Sequence, residues 1–148
     1  MLFRSDRFLM RIELGYPDVQ AERALLRGES RRDLLNQLKA AMRPEDMLAL
    51  QSEARAVHAS DALLDYVQAL VNHTRVNADF ASALSPRAGL ALAQSARAWA
   101  LLDGRKHVVP EDVQAVLPSV VSHRLTLKAD NVTASDVAGV LLRGVAIP

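Results

Sequence analysis

The sequence predicts an all-α fold, a bundle of helices, and three observations support that prediction. Half of the 148 residues are hydrophobic but only 4% are aromatic. A core of Ala, Leu and Val suits closely packed helices better than a sheet sandwich, in which β-branched and aromatic residues are enriched. Apolar residues recur at helical spacing through most of the chain, and only one segment alternates with the period of a strand.

That segment is Arg7–Leu14, near the N-terminus, where every second residue is apolar. The period of two predicts a strand. Because one strand cannot form a sheet, we expect it to belong to a sheet outside this chain. The sequence therefore predicts two parts: a remnant of another domain at 1–17, consisting of a strand and a linker, and a helical domain at 18–148.

The helical domain is predicted from caps, breakers and apolar stripes. Asp18 is placed to cap a first helix that Gly28 ends. A weaker apolar stripe over Ser30–Met42 predicts a second helix. Further helices are expected to begin at Arg43-Pro44, Ser60-Asp61, Ser85-Pro86, Pro110-Glu111 and Thr133-Ala134.

The helix predicted over Pro86–Leu102 is apolar almost all round, which is typical of a central helix. Ser85 is a good N-cap, Pro86 suits the first turn, and Gly104 follows the expected end. Trp99, within this helix, is expected to lie in the core. In the next predicted helix, Pro118 is expected to bend or split the chain.

One arginine stands at the start of this central helix. Arg87 lies where the helix dipole disfavours a cation by about 0.3–1 kcal/mol. Such a position is reasonable if an anion such as a phosphate lies beside it. The alternative is an ordinary solvated surface arginine.

Composition narrows the classes of function. The net charge is +1 with acidic and basic residues interspersed, which argues against general binding of nucleic acid. The sequence has no cysteine and four histidines without metal-ligand spacing, so we expect no metal site. No apolar stretch reaches about 18 residues and no signal-peptide pattern is present. We expect a cytoplasmic protein with no membrane span.

The motifs that bind a nucleotide triphosphate are missing from this sequence. The only glycine pair with the spacing of a Walker A loop is Gly139 and Gly144, and Val145-Ala146 follow where Lys and Ser or Thr are needed. No apolar strand ends in the paired acids of a Walker B motif. The chain alone is therefore predicted not to hydrolyse ATP.

Several motifs nevertheless resemble one family in the family's order. Two short segments, Asp6-Arg7-Phe8-Leu9 and Leu14-Gly15-Tyr16-Pro17, are similar to the exit from the nucleotide-binding core of MoxR-family AAA+ ATPases. The C-terminal lid of that family is resembled by Ser85-Pro86-Arg87-Ala88, Ala98-Trp99-Ala100-Leu101, Gly104-Arg105 and Val109-Pro110-Glu111-Asp112-Val113. The likeness runs from about Asp6 to Leu125, and Met1–Ser5 departs from the family pattern.

The resemblance implies a function. Arg87 matches the family's sensor-2 arginine, which reaches ATP held by the core, and Arg7 matches a candidate arginine finger for the neighbouring subunit. It further implies ATP and Mg²⁺ in the full-length parent, none in the isolated chain, and a ring oligomer that matures an unknown client protein. Two alternatives stay open: Arg7 in a plain surface ion pair with Asp6, and a stand-alone helical interaction module that binds no nucleotide.

Overall fold

The computed structural model describes residues 6–28, 35–128 and 134–147. Within these ranges lie two isolated β-bridges, His58–His107 and Phe80–Leu127, and no strand. The predicted all-α fold is confirmed. The described ranges contain six complete helices: α1 (Val19–Leu26), α2 (Pro44–Ala56), α3 (Asp61–Val76), α4 (Pro86–Leu102), α5 (Pro110–Val121) and α6 (Ala134–Gly144).

Helix α4 is central, as predicted, because it packs against α2, α3 and α5. Its inner face consists mostly of small residues around the fully buried Leu92, which lets the neighbouring helices approach closely. Trp99 does not share that face and is 49% exposed, so its predicted place in the core is wrong. Successive residues are turned by about 100° around a helix, so the buried Ala100 directs Trp99 outward.

Local capping chemistry explains where the helices begin. The side chains of Asp18, Ser60 and Ser85 accept hydrogen bonds from backbone N–H groups three residues later, as predicted. Gly104 has a φ of +73° directly after α4, a conformation that side chains disfavour. Helix α5 continues unbroken through Pro118 to Val121, so the proline does not split it.

The predicted strand over Arg7–Leu14 is wrong. Asp6 and Arg7 form a short 3₁₀ turn, and residues 10–18 carry no regular secondary structure. The Arg11 N–H instead donates to the Ser119 carbonyl in α5 at 2.8 Å. Since the described residues offer no neighbouring strand, the backbone satisfies its hydrogen bonds on the helical body. We call residues 6–17 the N-terminal arm.

Three other expectations concern parts of the chain with little or no description. The segment Met1–Ser5 and the cap at Thr133 lie outside the described residues, as do residues 29–34 of the helix expected over Ser30–Met42. Of the remainder, only Leu35 is helical. None of the described helices combines the length and apolar character needed to cross a membrane.

A buried ion pair fixes the corner between α4 and α5. The Arg105 guanidinium donates to both oxygens of Asp112, at 2.7 and 2.5 Å, and Asp112 also accepts the Val109 N–H at 2.8 Å. The Asp112 side chain is 2% exposed. Burial by itself raises the pKa of this carboxyl, but the hydrogen bonds from Arg105 and Val109 outweigh it and the pKa is lowered.

Replacing Asp112 tests this corner through its pH dependence. Because the pKa is lower in the folded state, the stabilisation is complete above the unfolded-state pKa near 4 and is lost as pH falls through the folded-state pKa. Asp112→Asn is expected to lower the free energy of unfolding by about 1.5–3 kcal/mol at pH 7. The deficit should shrink toward pH 2 in urea titrations.

The control is Asp103→Asn. Asp103 contacts the same Arg105 at 3.1 Å, but its side chain is 70% exposed, so its loss should cost about 0–1 kcal/mol. Equal effects of the two substitutions, or a deficit for Asp112→Asn that grows in acid, would contradict the assignment.

The contact between α6 and α3 gives a second test. A Cβ on Gly144 would lie 2.3 Å from His73 Nε2, whereas a Cβ on Gly139 would meet only the flexible end of Arg143. Gly144→Ala is expected to destabilise the protein by about 1–3 kcal/mol through overpacking. Gly139→Ala should be neutral or stabilising by up to about 1 kcal/mol. Thermal unfolding decides, and a stabilising Gly144→Ala would refute the packing.

Candidate functional site

Arg87 lies in the first turn of α4 and keeps most of its side chain in solvent. The turn is fixed by Ser85, whose hydroxyl accepts the Ala88 N–H at 3.3 Å, and by Pro86 at the first helical position. The Arg87 side chain is 61% exposed. Within the described residues its ion-pair partner is Asp6, with Nη1 4.0 Å from the carboxylate. The guanidinium is therefore accessible from outside.

Asp6 supplies the anion beside this helix N-terminus. Its carboxylate accepts from the Ser85 hydroxyl at 3.0 and 3.1 Å and from Arg124 Nε at 3.1 Å. A negative charge is favoured at this end of a helix by the dipole and offsets the repulsion that Arg87 meets there. The cluster of Asp6, Ser85, Arg87 and Arg124 thus joins the arm to α4 and α5.

Arg124 is the buried member of this cluster. Its side chain is 2% exposed, and it follows the last turn of α5. Besides the Asp6 carboxylate, its guanidinium donates to the backbone carbonyls of Asp6 at 3.3 Å, Leu9 at 3.2 Å, and Phe8 and Val120. A buried cation needs such partners, because an unpaired one costs several kcal/mol.

His123 adds a neutral contact beside Arg124. Its Nε2 lies 3.2 Å from the Phe8 carbonyl, which can only accept, so this nitrogen carries the hydrogen. Burial lowers the pKa of His123, and the neighbouring Arg124 and Arg11 lower it further. At neutral pH the imidazole therefore binds the arm without adding another positive charge.

Arg7 lies next to Asp6 in the arm and is exposed. Among the described residues, the ion pairs of Asp6 are with Arg87 and Arg124, so the alternative of an Asp6–Arg7 pair has no support. The structure attaches both arginines singled out from the sequence to one cluster, Arg87 through its side chain and Arg7 through the preceding residue.

The chemistry of the cluster is that of a partly compensated cation. Two guanidiniums face one carboxylate, so a net positive charge remains, and it is concentrated on the exposed Arg87. A guanidinium offers planar, paired donors that match phosphate or carboxylate oxygens. No group of three or more metal-ligating side chains occurs in the described parts of the chain.

Sequence reasoning missed Arg124. A signal was present, because Arg124 follows the buried Val116, Val120 and Val121 at helical spacing and so falls on the inward face of α5. Charged residues are almost never fully buried without a partner. A lone arginine on an apolar stripe therefore predicts a buried acceptor, although not which one.

Comparison with known proteins agrees with this geometry. The AAA lid domain matches residues 72–140. The chain is 36% identical over 159 residues to the chaperone MoxR1 of Mycobacterium tuberculosis, covering 98% of this chain and 41% of that protein. It is 34% identical over 141 residues to the protein MoxR of Paracoccus denitrificans, covering 82% and 42%. The uncharacterized protein YeaC of Bacillus subtilis is 31% identical over 147 residues, covering 97% and 46%.

A solved structure shows the same fold. The crystal structure of a protein from Cytophaga hutchinsonii, assigned as an ATPase, matches all of this chain and 49% of its own chain, with a TM-score of 0.81 and 27% identity. The fold and its cluster define an AAA lid domain. The chain belongs to the MoxR family of AAA+ ATPases, of which it carries the lid portion. It spans less than half the length of these three relatives.

Removing the Ser85 hydroxyl tests the cluster. Ser85→Ala loses both a helix cap and a hydrogen bond to a carboxylate, whereas Ser60→Ala loses only the cap of α3. A lost cap costs about 0.5–2 kcal/mol. We expect Ser85→Ala to cost about 1 kcal/mol more than Ser60→Ala in denaturant unfolding.

The excess should depend on Asp6. In an Asp6→Ala background, the two serine substitutions are expected to cost the same, since only the caps remain to be lost. An unchanged difference in that background would show that Ser85 does not act through the carboxylate.

Proposed function

We propose that this lid closes over ATP bound by a nucleotide-binding core, and that Arg87 is the sensor-2 residue that reaches the triphosphate. The single observation that supports the proposal most is the exposed guanidinium at the N-terminus of α4, held at 4.0 Å from Asp6. An exposed ion pair contributes about 0–1 kcal/mol. Arg87 can therefore exchange it for the stronger, charge-assisted hydrogen bonds of a phosphate.

The residues present fit the edge of a triphosphate site. They provide a helix N-terminus with a net positive cluster, and the sequence contains neither a Walker A loop nor paired Walker B acids. Bound by the core, ATP with Mg²⁺ would supply the phosphoryl group for hydrolysis. The contribution of this chain would be to orient Arg87 and to offset negative charge on the phosphate oxygens.

Arg7 has a second proposed role, as the arginine finger for a neighbouring subunit of a ring. It is exposed on an arm whose neighbours Phe8 and Ile12 are also exposed. An arginine finger stabilises charge in the transition state of phosphoryl transfer and contributes about 10³–10⁵ in rate in other systems. The exposed position of Arg7 is compatible with insertion into an adjacent site.

The exposed apolar surface supports a core domain as partner. No residue of α1 or α2 is buried, and Leu14, Tyr16 and Val19 are almost fully exposed. Apolar patches of this kind mark interfaces. We propose that this surface contacts the core domain and adjacent subunits. A stand-alone interaction module would bind a partner through the same surface, and the nucleotide experiments below distinguish the two.

The work done with ATP is proposed from the family. MoxR1 is named a chaperone, and we propose that closure of this lid couples hydrolysis to chaperone-like maturation of a client protein complex in the cytoplasm. The client belongs to no class that the described residues identify.

Substituting Arg87 tests the sensor role. In a polypeptide that joins this chain to a MoxR-family core, Arg87→Ala is expected to lower ATP turnover roughly ten- to hundredfold, the effect of losing a charged hydrogen bond in the transition state. Arg87→Lys should recover part of it, because a lysine keeps the charge but not the fork. Steady-state phosphate release measures the change.

The matched control is Arg143→Ala, which removes another exposed arginine, on α6. It should leave turnover unchanged. The chain without a core is expected to show no turnover and no binding of a fluorescent ATP analogue. Full activity of Arg87→Ala would remove the sensor role, and hydrolysis by the chain alone would remove the lid assignment of function.

A further inference from the structure

The contacts of the arm with the helical body are unusually polar. Only Met10 of the arm packs against the hydrophobic core, while Phe8, Leu9 and Ile12 stay exposed. A cleft of about 650 Å³ separates residues 8–12 from the end of α5. The arm is therefore held mainly by hydrogen bonds and not by apolar burial.

Most of those hydrogen bonds converge on one side chain. Arg124 contacts three backbone carbonyls of the arm and the Asp6 carboxylate, and His123 and the Ser119 carbonyl add one contact each. The same carboxylate accepts from Ser85 and lies beside Arg87. Asp6 is thus the point at which the arm, α4 and the end of α5 meet.

We propose that Arg124 is a positioning residue that acts through Asp6 to hold the arm, with Arg7, on the N-terminus of α4, with Arg87. The two arginines then belong to one rigid unit and move together when the lid moves. The inference rests on the proposed function for its catalytic meaning, since only that function requires both arginines. The physical linkage itself can be measured independently of ATP.

The absence of cysteine from the sequence permits a direct measurement. Spin labels on Phe8→Cys and Leu102→Cys, both exposed positions, would report the distance between the arm and the far end of α4. A helix of 17 residues spans about 25 Å, which suits dipolar spectroscopy. We expect a narrow distance distribution in the parent and a distribution at least twofold broader in Asp6→Ala.

Two variants guard against misinterpretation. Asp6 is partly exposed, so Asp6→Ala should leave the helical body folded, as circular dichroism would verify. Asp18→Ala removes another carboxylate near the arm, which caps α1 and does not contact Arg124, and should leave the distribution narrow. Arg124→Lys keeps the charge but not the fork and should broaden it. A narrow distribution in both Asp6→Ala and Arg124→Lys would overturn the proposal.

The catalytic consequence is tested in the polypeptide that includes the core. Asp6→Ala is expected to lower kcat at least fivefold with less than a twofold change in KM for ATP, and Asp6→Asn to recover part of the loss. An unchanged kcat in Asp6→Ala would overturn the positioning role. Failure of the proposed function is recognised separately, by full activity of Arg7→Ala and Arg87→Ala in a protein with Asp6 and Arg124 intact.

Discussion

The buried guanidinium of Arg124 is the interaction on which the arrangement of the cluster depends. A cation with 2% exposure must be given acceptors on all sides, because desolvation without them costs several kcal/mol. The acceptors come almost entirely from the arm, as three carbonyls and the Asp6 carboxylate. The arm therefore has a defined place although it buries little apolar surface.

The same logic applies at the opposite end of α5. There Arg105 and the buried Asp112 tie the start of α5 to the corner after α4, while Arg124 ties its end to the start of α4 through Asp6. The two helices run in opposite directions and are clamped at both ends. The apolar contact between them, rich in alanine on α4 and valine on α5, supplies the cohesion, and the ion pairs fix its register.

Sequence reasoning succeeded where the determinants are local. The caps at Asp18, Ser60 and Ser85 need only a side chain and an N–H three residues away, so they could be predicted. The strand failed because pairing needs a neighbour that the described residues do not contain. The core position of Trp99 failed because the small residues of α4, not the largest one, face the neighbouring helices. Arg124 was missed because its acceptors lie more than 100 residues away along the chain.

The placement of Arg87 reflects a balance of charges. An arginine with no anion nearby would be disfavoured by the helix dipole, and one in a close, buried pair could not leave it. Asp6 resolves this conflict because its carboxylate is already engaged at 3.1 Å by Arg124 and at 3.0 Å by Ser85, so Arg87 stays at 4.0 Å. The tight pair inside thus keeps the outer pair loose. A loose pair on a firmly placed helix is what a residue needs if it is to exchange a carboxylate for a phosphate.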